Sequence, residues 1–215
     1  MSNSFANERQ VFSALQESMR ADAELRQDVE KAFDLLLQRY STSIRENRFI
    51  VGGVAERIVA ATFRAMNLKS YNLGLVVEGA DLQVGTAKFS LKGMFSRSKG
   101  DVRLVNVMGP STTAEWVHAT IFMISGLGFG YADPHLIPSD QVRRTSDALV
   151  LRYNTLRALW DERPNLLIPL SLPVSRADVA GSEVASRLVA DQILRSTKRL
   201  RPSDDRPAFD LPPTR

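Results

Sequence analysis

The sequence predicts an α+β (mixed α/β) fold, a central mixed sheet flanked by helices with further helices at the N-terminus, and three observations carry that prediction. Helical periodicity fills most of residues 5 to 67, short alternating strands bounded by Gly, Asn and Ser-Lys-Gly turns fill 71 to 108, and the remainder mixes helical and strand-like runs. No repeat or low-complexity tract interrupts this order. The 215 residues, 44% of them hydrophobic, are enough for one sizeable core.

Taken in order, Phe5, Val11, Phe12, Leu15 and Met19 mark a first amphipathic helix, and Leu25, Val29, Phe33, Leu36 and Leu37 a second. With the polar connector STSIRENR they make an N-terminal helical extension, residues 1–48, packed on a core spanning 49–200. A third helix starts near Phe49 or Gly52 and runs to about Asn67. Strands are expected at 71–77, 80–84, 87–95 and 101–108. TAEWVHATIFMISG gives a short helix or turn and then a buried strand at 118–124, and FGYADPHLI gives another strand-like piece. GLGFG at 126–130 reads as a turn, since its spacing is not Gly-x-Gly-x-x-Gly and Asp133-Pro134 stands where a helix would open. Residues 145–162 read as a helix, 165–173 as a strand and 180–200 as the last long helix. The tail 201–215 is proline-rich and extended.

Composition narrows the function classes. A formal net charge of +4 and a pI near 9.6 are compatible with a polyanionic partner without requiring one. The absence of cysteine excludes disulfides and thiolate metal sites, and His118 and His135 are too few for a histidine-built metal centre. No apolar signal core opens the chain, and runs such as ATIFMI are far too short to span a bilayer, so the expectation is a cytoplasmic protein with no membrane partner.

The stretch GADLQVGTAKFSLKG, 79–93, carries the most chemistry. With Gly85-Thr86 as a two-residue loop of type II′, Gln83 faces Lys88 and Asp81 faces Ser90. Alternation puts Leu82, Val84, Phe89 and Leu91 on a core face, and Asp81, Gln83, Lys88, Ser90 and Lys92 on the other. A carboxylate then lies across from a hydroxyl and diagonal to an ammonium, within the roughly 5 to 8 Å of cross-strand neighbours. Such a face is either a site or an exposed sheet surface.

In the third helix, GGVAERIVAATFRAMN, Glu56 shares a face with Gly52, Val59, Ala60 and Phe63, while Val54, Ile58 and Ala61 make the far side apolar. A carboxylate in such a setting needs a partner, because burying an unpaired charge is costly. Arg57 and Arg64 are structural candidates for that role. A bound cation is the functional one.

A helix bearing Glu56, a strand opening on Asp81 and an antiparallel neighbour bearing Ser90-Leu91-Lys92 together resemble the PD-(D/E)XK nuclease superfamily, over about residues 49–125 and including the Gly-x-x-Glu and Gly-x-Asp-Leu contexts. The resemblance implies a restriction-endonuclease-like core, a Mg2+ cofactor held by Glu56, Asp81 and the carbonyl of Leu91, and Lys92 as the residue that positions or activates the attacking water. Ala80 replaces the proline that names the motif. Ser90 replaces the usual acid and is a weaker ligand, so the negative charge comes chiefly from Glu56 and Asp81, with Glu78 in reserve. Lys88, Arg97, Lys99 and Arg103 would form a basic DNA-binding edge, or simply a solvated hairpin.

The implied activity is Mg2+-dependent hydrolysis of double-stranded DNA by a type II restriction endonuclease. A homodimer is implied as well, because palindromic sites suit a two-fold protein. The N-terminal helices and the last helix with its tail are the expected interface, by their apolar stripes. A junction resolvase or repair nuclease, and a non-catalytic DNA-binding protein on the same fold, are the alternatives.

Overall fold

Apolar residues at every third or fourth position build α1 (Ala6–Ala21) around Phe12, Leu15 and Met19, and α2 (Ala23–Arg39) around Leu25, Val29, Phe33, Leu36 and Leu37, all buried. The computed structural model describes residues 4–40, 45–73, 79–106, 115–175 and 186–202. Asp22 alone separates the two helices. Its carboxylate accepts the Leu25 N–H at 2.9 Å and caps α2, while its own N–H closes α1 on the Ser18 carbonyl. The next helix, α3 (Arg45–Ala65), begins before the expected Phe49 or Gly52. Its first residues, RENR, are polar but mostly good helix formers, so propensity carries the helix back beyond its apolar stretch.

The strands are β1 (Ser70–Asn72), β2 (Leu82–Val84), β3 (Ala87–Met94), β4 (Asp101–Asn106), β5 (Ala119–Ile124), β6 (Gly128–Ala132), β7 (Val142–Arg144) and β8 (Ala148–Arg152). Helix α4 (Tyr153–Glu162), β9 (Leu167–Pro169) and α5 (Ser186–Arg195) complete the order. Six strands form one mixed sheet in the order β1-β2-β3-β5-β6-β9, with β3 and β5 parallel and the other neighbours antiparallel. β4, β8 and β7 form a separate antiparallel sheet. GLGFG falls on the β5–β6 turn and the first residues of β6.

Two expectations need correction. Residues 145–162 are not one helix, because Ala148–Arg152 is a strand and only Tyr153–Glu162 is helical. ALVL is a continuous apolar run buried along its length, a pattern that helices and fully buried strands share. In its described part the last helix ends at Arg195 rather than 200. There the Thr197 hydroxyl donates to the Leu194 carbonyl, and the Asp28 carboxylate accepts the N–H groups of Lys198 and Arg199, giving the backbone partners outside a helix. Residues 74–77 of the first expected strand, 107–108 of the fourth, 180–185 of the last helix and most of the tail lie outside the described residues, as does Glu78.

Both faces of the main sheet are covered. On one, Phe63 of α3 stacks on Phe89, Phe33 of α2 meets Phe129, and Phe12 of α1 meets Tyr131. On the other, Trp160 of α4 packs on Phe122 and lies so close over Gly130 that a Cβ there would come within 2.2 Å of the indole. Glycine is the residue that permits this approach. The apolar stripes of α1, α2 and α5 are packed inside the chain, with Leu188 of α5 left exposed, and most of the tail expected at a dimer interface lies outside the described residues. Phe49, Tyr71, Val117 and Leu188 are the exposed large apolar side chains among the described residues.

The N-terminus is tied down by a buried polar centre as well as by apolar packing. Asp133, with no exposed surface, accepts from Arg9 Nε at 2.8 Å, Arg9 Nη2 at 3.1 Å, the Tyr131 hydroxyl at 2.8 Å, and the backbone N–H of His135 and Leu136. Burial, reinforced by the Asp133 charge, pushes the Tyr131 phenol far above its ordinary range.

Candidate active site

The β2–β3 hairpin has the expected register: Leu82 faces Phe89, Gln83 faces Lys88 and Val84 faces Ala87. Gly85 takes a φ of +59°, and Thr86 is not in the positive-φ region, as a type II′ turn requires. At Asp81 the ladder to β1 continues, with Leu73 N–H on the Asp81 carbonyl at 2.9 Å, but on the β3 side Asp81 N–H donates to the Phe89 carbonyl at 2.8 Å, one residue out of the Leu82–Phe89 register. Asp81 is thus held at the end of the sheet where β1 leaves and β2 enters.

Its side chain extends that ladder. Asp81 Oδ2 accepts the Leu91 N–H at 2.6 Å, a donor left beside the end of β2, and the Ser90 hydroxyl at 3.1 Å. The N–H and C=O of one strand residue point to the same edge, so the Leu91 carbonyl faces the Asp81 side. Lys92 follows on β3, half-buried and on the same face as Ser90.

Glu56, half-buried on α3, reaches the same end of the sheet. Asn72 Nδ2, at the end of β1, donates to Glu56 Oε2 at 3.0 Å. Burial raises the Glu56 pKa above the ordinary carboxylate value. The Asn72 hydrogen bond opposes that rise, the Asp81 charge adds to it, and the Lys92 and Arg57 charges reduce it. The Asp81 and Lys92 charges therefore both act on Glu56. Arg64, the other structural partner considered for Glu56, instead donates to the carbonyls of Ser70 and Arg201.

This donor set suits a hard divalent cation. Carboxylate and carbonyl oxygens are what Mg2+ takes, and a cation would relieve both the repulsion between the two acids and the cost of burying Glu56. Among the described residues no cluster of three or more His, Cys, Asp or Glu is present, so Glu56 and Asp81 are the whole acidic complement there.

The basic residues are dispersed. Lys88 is exposed at the turn end of β3, with its backbone N–H on the Glu8 carboxylate at 3.2 Å. Arg97 is exposed in the loop past the other end of β3, roughly 20 Å away at about 3.3 Å per strand residue. Lys99 in the same loop donates its ammonium to the carbonyls of Ser96 at 2.7 Å and Met94 at 3.4 Å, and burial lowers its pKa. Arg103, on β4, pairs with Asp147 across the second sheet. The residue that sequence reasoning missed is Asn72. Its contact with Glu56 spans 16 positions and leaves no motif; a polar side chain ending a short strand is the only hint.

No protein-family model and no curated protein matches this chain. A solved structure described as a restriction endonuclease in complex with substrate DNA is similar in fold, with a TM-score of 0.55 and 14% identity over 78% of this chain and 92% of that one. The chain has a restriction-endonuclease fold, a mixed sheet flanked by helices. No helix among the described residues is long and apolar enough to cross a membrane.

Proposed function

We propose that this protein is a Mg2+-dependent endonuclease of double-stranded DNA, a cytoplasmic type II restriction endonuclease acting as a homodimer. What supports the reading is a restriction-endonuclease-like fold with Asp81 held on the Leu91 N–H at the end of β2 and Glu56 held by Asn72 at the end of β1. The fold similarity supports a nuclease-like protein that binds DNA. The chemistry comes from the residues.

When bound, the cation supplies charge neutralisation at the scissile phosphate and lowers the pKa of water. Glu56 and Asp81 would hold it through carboxylate oxygens, with the Leu91 carbonyl completing the protein's share. Lys92, whose charge acts on Glu56, supplies the ammonium of the proposed site. There it orients the attacking water and stabilises negative charge that develops on the phosphate oxygens. Arg97, exposed in its loop, is the cation most open to the DNA backbone, and Arg103 would have to leave Asp147 to meet it. Lys88 adds a distant contact, and Lys99 shapes the loop. Two copies related by a two-fold axis present two such clusters, as cutting both strands requires.

The test is incubation with unmethylated phage DNA in Mg2+ and in EDTA. Discrete bands with Mg2+ alone are expected. A smear would make the cleavage non-specific, and cutting confined to branched DNA would make the protein a junction resolvase. Intact DNA in every condition would overturn the nuclease reading in favour of DNA binding without cleavage, the alternative that Ser90 in place of an acid sustains.

A further inference from the structure

We infer that Ser90 and Asn72 are positioning residues, each holding one oxygen of a carboxylate so that the other oxygen is turned to the cation. The inference rests on the metal-dependent reading above and deepens it. All hydrogen bonds on the two acids among the described residues fall on one oxygen of each. Asp81 Oδ2 takes the Ser90 hydroxyl and the Leu91 N–H, and Glu56 Oε2 takes Asn72 Nδ2. Asp81 Oδ1 and Glu56 Oε1 accept nothing there. An ionised carboxylate offers about four lone-pair positions, so about two are left unused on Asp81 and about three on Glu56.

Neither second oxygen is buried without a partner, so each lies open to solvent or to a cation. The donors present fix orientation. Ser90 is 4% exposed, and its hydroxyl bridges to Asp81 across the hairpin register. Asn72 ends β1 beside the same sheet end. Each acts from a strand, where its rotamer is set by pairing and packing, which suits a group that must aim another. Ser90 thus stands where the related motif has an acid, but works through Asp81 rather than on the metal.

The experiment measures Mn2+ affinity by electron paramagnetic resonance on the full chain without DNA, with a thermal melt in EDTA to show that each variant folds. Ser90→Ala and Asn72→Ala are each expected to weaken Mn2+ binding by about tenfold, as loss of a partner behind a ligand does. Ser90→Thr, which keeps the hydroxyl, should restore affinity. In an Asp81→Ala background Ser90→Ala should add less than about twofold, and Asn72→Ala should add as little in a Glu56→Ala background, because the group each acts through is gone.

A further full loss from Ser90→Ala in the Asp81→Ala chain would make Ser90 a ligand and overturn the inference. Unchanged affinity in the Ser90→Ala or Asn72→Ala single variants, or no Mn2+ binding by the wild-type chain, would overturn it too. The two readings fail separately. A chain that binds Mn2+ in this pattern but leaves DNA intact sinks only the nuclease reading, and one that cuts DNA while Ser90 behaves as a ligand sinks only this one.

Discussion

Asp133 and the Glu56–Asp81 pair are acids held close to the same sheet, and they are satisfied in opposite ways. Both oxygens of Asp133 are taken, by five donors that include a forked arginine and a buried tyrosine. Asp81 and Glu56 each have one oxygen occupied, neither has an arginine in salt-bridge contact, and each faces the other's charge. A carboxylate that holds a fold together is saturated by its surroundings. One meant for a ligand is aimed but left incomplete.

The sharpest way to break this contrast is to remove an acid from each region. Asp81→Ala should abolish cleavage and keep DNA binding, at a loss of about 1 to 3 kcal/mol from the Leu91 N–H and Ser90 hydroxyl it strands, and Lys92→Ala should abolish cleavage with the melting temperature nearly unchanged. Asp133→Ala should do the reverse. It strands the Tyr131 hydroxyl, two backbone N–H groups and a part-buried guanidinium, a loss of about 3 to 5 kcal/mol, with cleavage falling only as the protein unfolds. Denaturant titration beside a plasmid-cutting assay checks both. If Asp81→Ala unfolds the chain as readily as Asp133→Ala, Asp81 is structural and the contrast is void.

A smaller effect tests the basic residues in the same terms, a cation already occupied against one left open. Arg97 is exposed in its loop, whereas the Lys99 ammonium is held by two backbone carbonyls. Arg97→Ala should lower the slope of log affinity against log salt by about one unit, as loss of a single phosphate contact does. Lys99→Ala should leave the slope nearly unchanged and act through loop stability. Slopes equal to wild type in both variants would place both residues off the DNA, and two equally lowered slopes would place Lys99 on it as well.

The hairpin was legible because alternation and a glycine turn fix the register together: Leu82, Val84, Phe89 and Leu91 bury one face, and the Ser90 hydroxyl meets the Asp81 carboxylate on the other. Glu56 was legible as a charge in an apolar helix. What lay beyond reach depended on tertiary placement. The Asn72 contact requires β1 to end beneath α3, and the Arg9–Asp133 pair joins residues 124 apart with no local signature. β8 was misread as helix because an apolar run buried on all sides has no period to reveal. The apolar stripes of α1 and α2 were legible as stripes, but not as stripes their own sheet would consume.

The mildest expected effect concerns what an incomplete acid costs. Burial and the Asp81 charge hold the Glu56 pKa above its unfolded value, so the folded chain binds that proton more tightly. The sign follows directly. Metal-free stability from this group is present below the unfolded pKa and is lost as pH rises through the folded one, so at neutral pH the ionised acid opposes folding. Glu56→Gln keeps the shape and removes the charge. In EDTA at neutral pH it should gain about 1 kcal/mol, or roughly 2 to 4 °C in melting temperature for a chain of this size, and the gain should shrink toward acid pH as the wild-type carboxyl is protonated. Mn2+ should reverse the order by stabilising wild type more than the variant, because the cation relieves the repulsion that the substitution removes. A Glu56→Gln chain less stable than wild type in EDTA would mean that the carboxylate is already compensated by Asn72, Lys92 and Arg57. Glu56 would then belong with Asp133 among the acids that hold the fold.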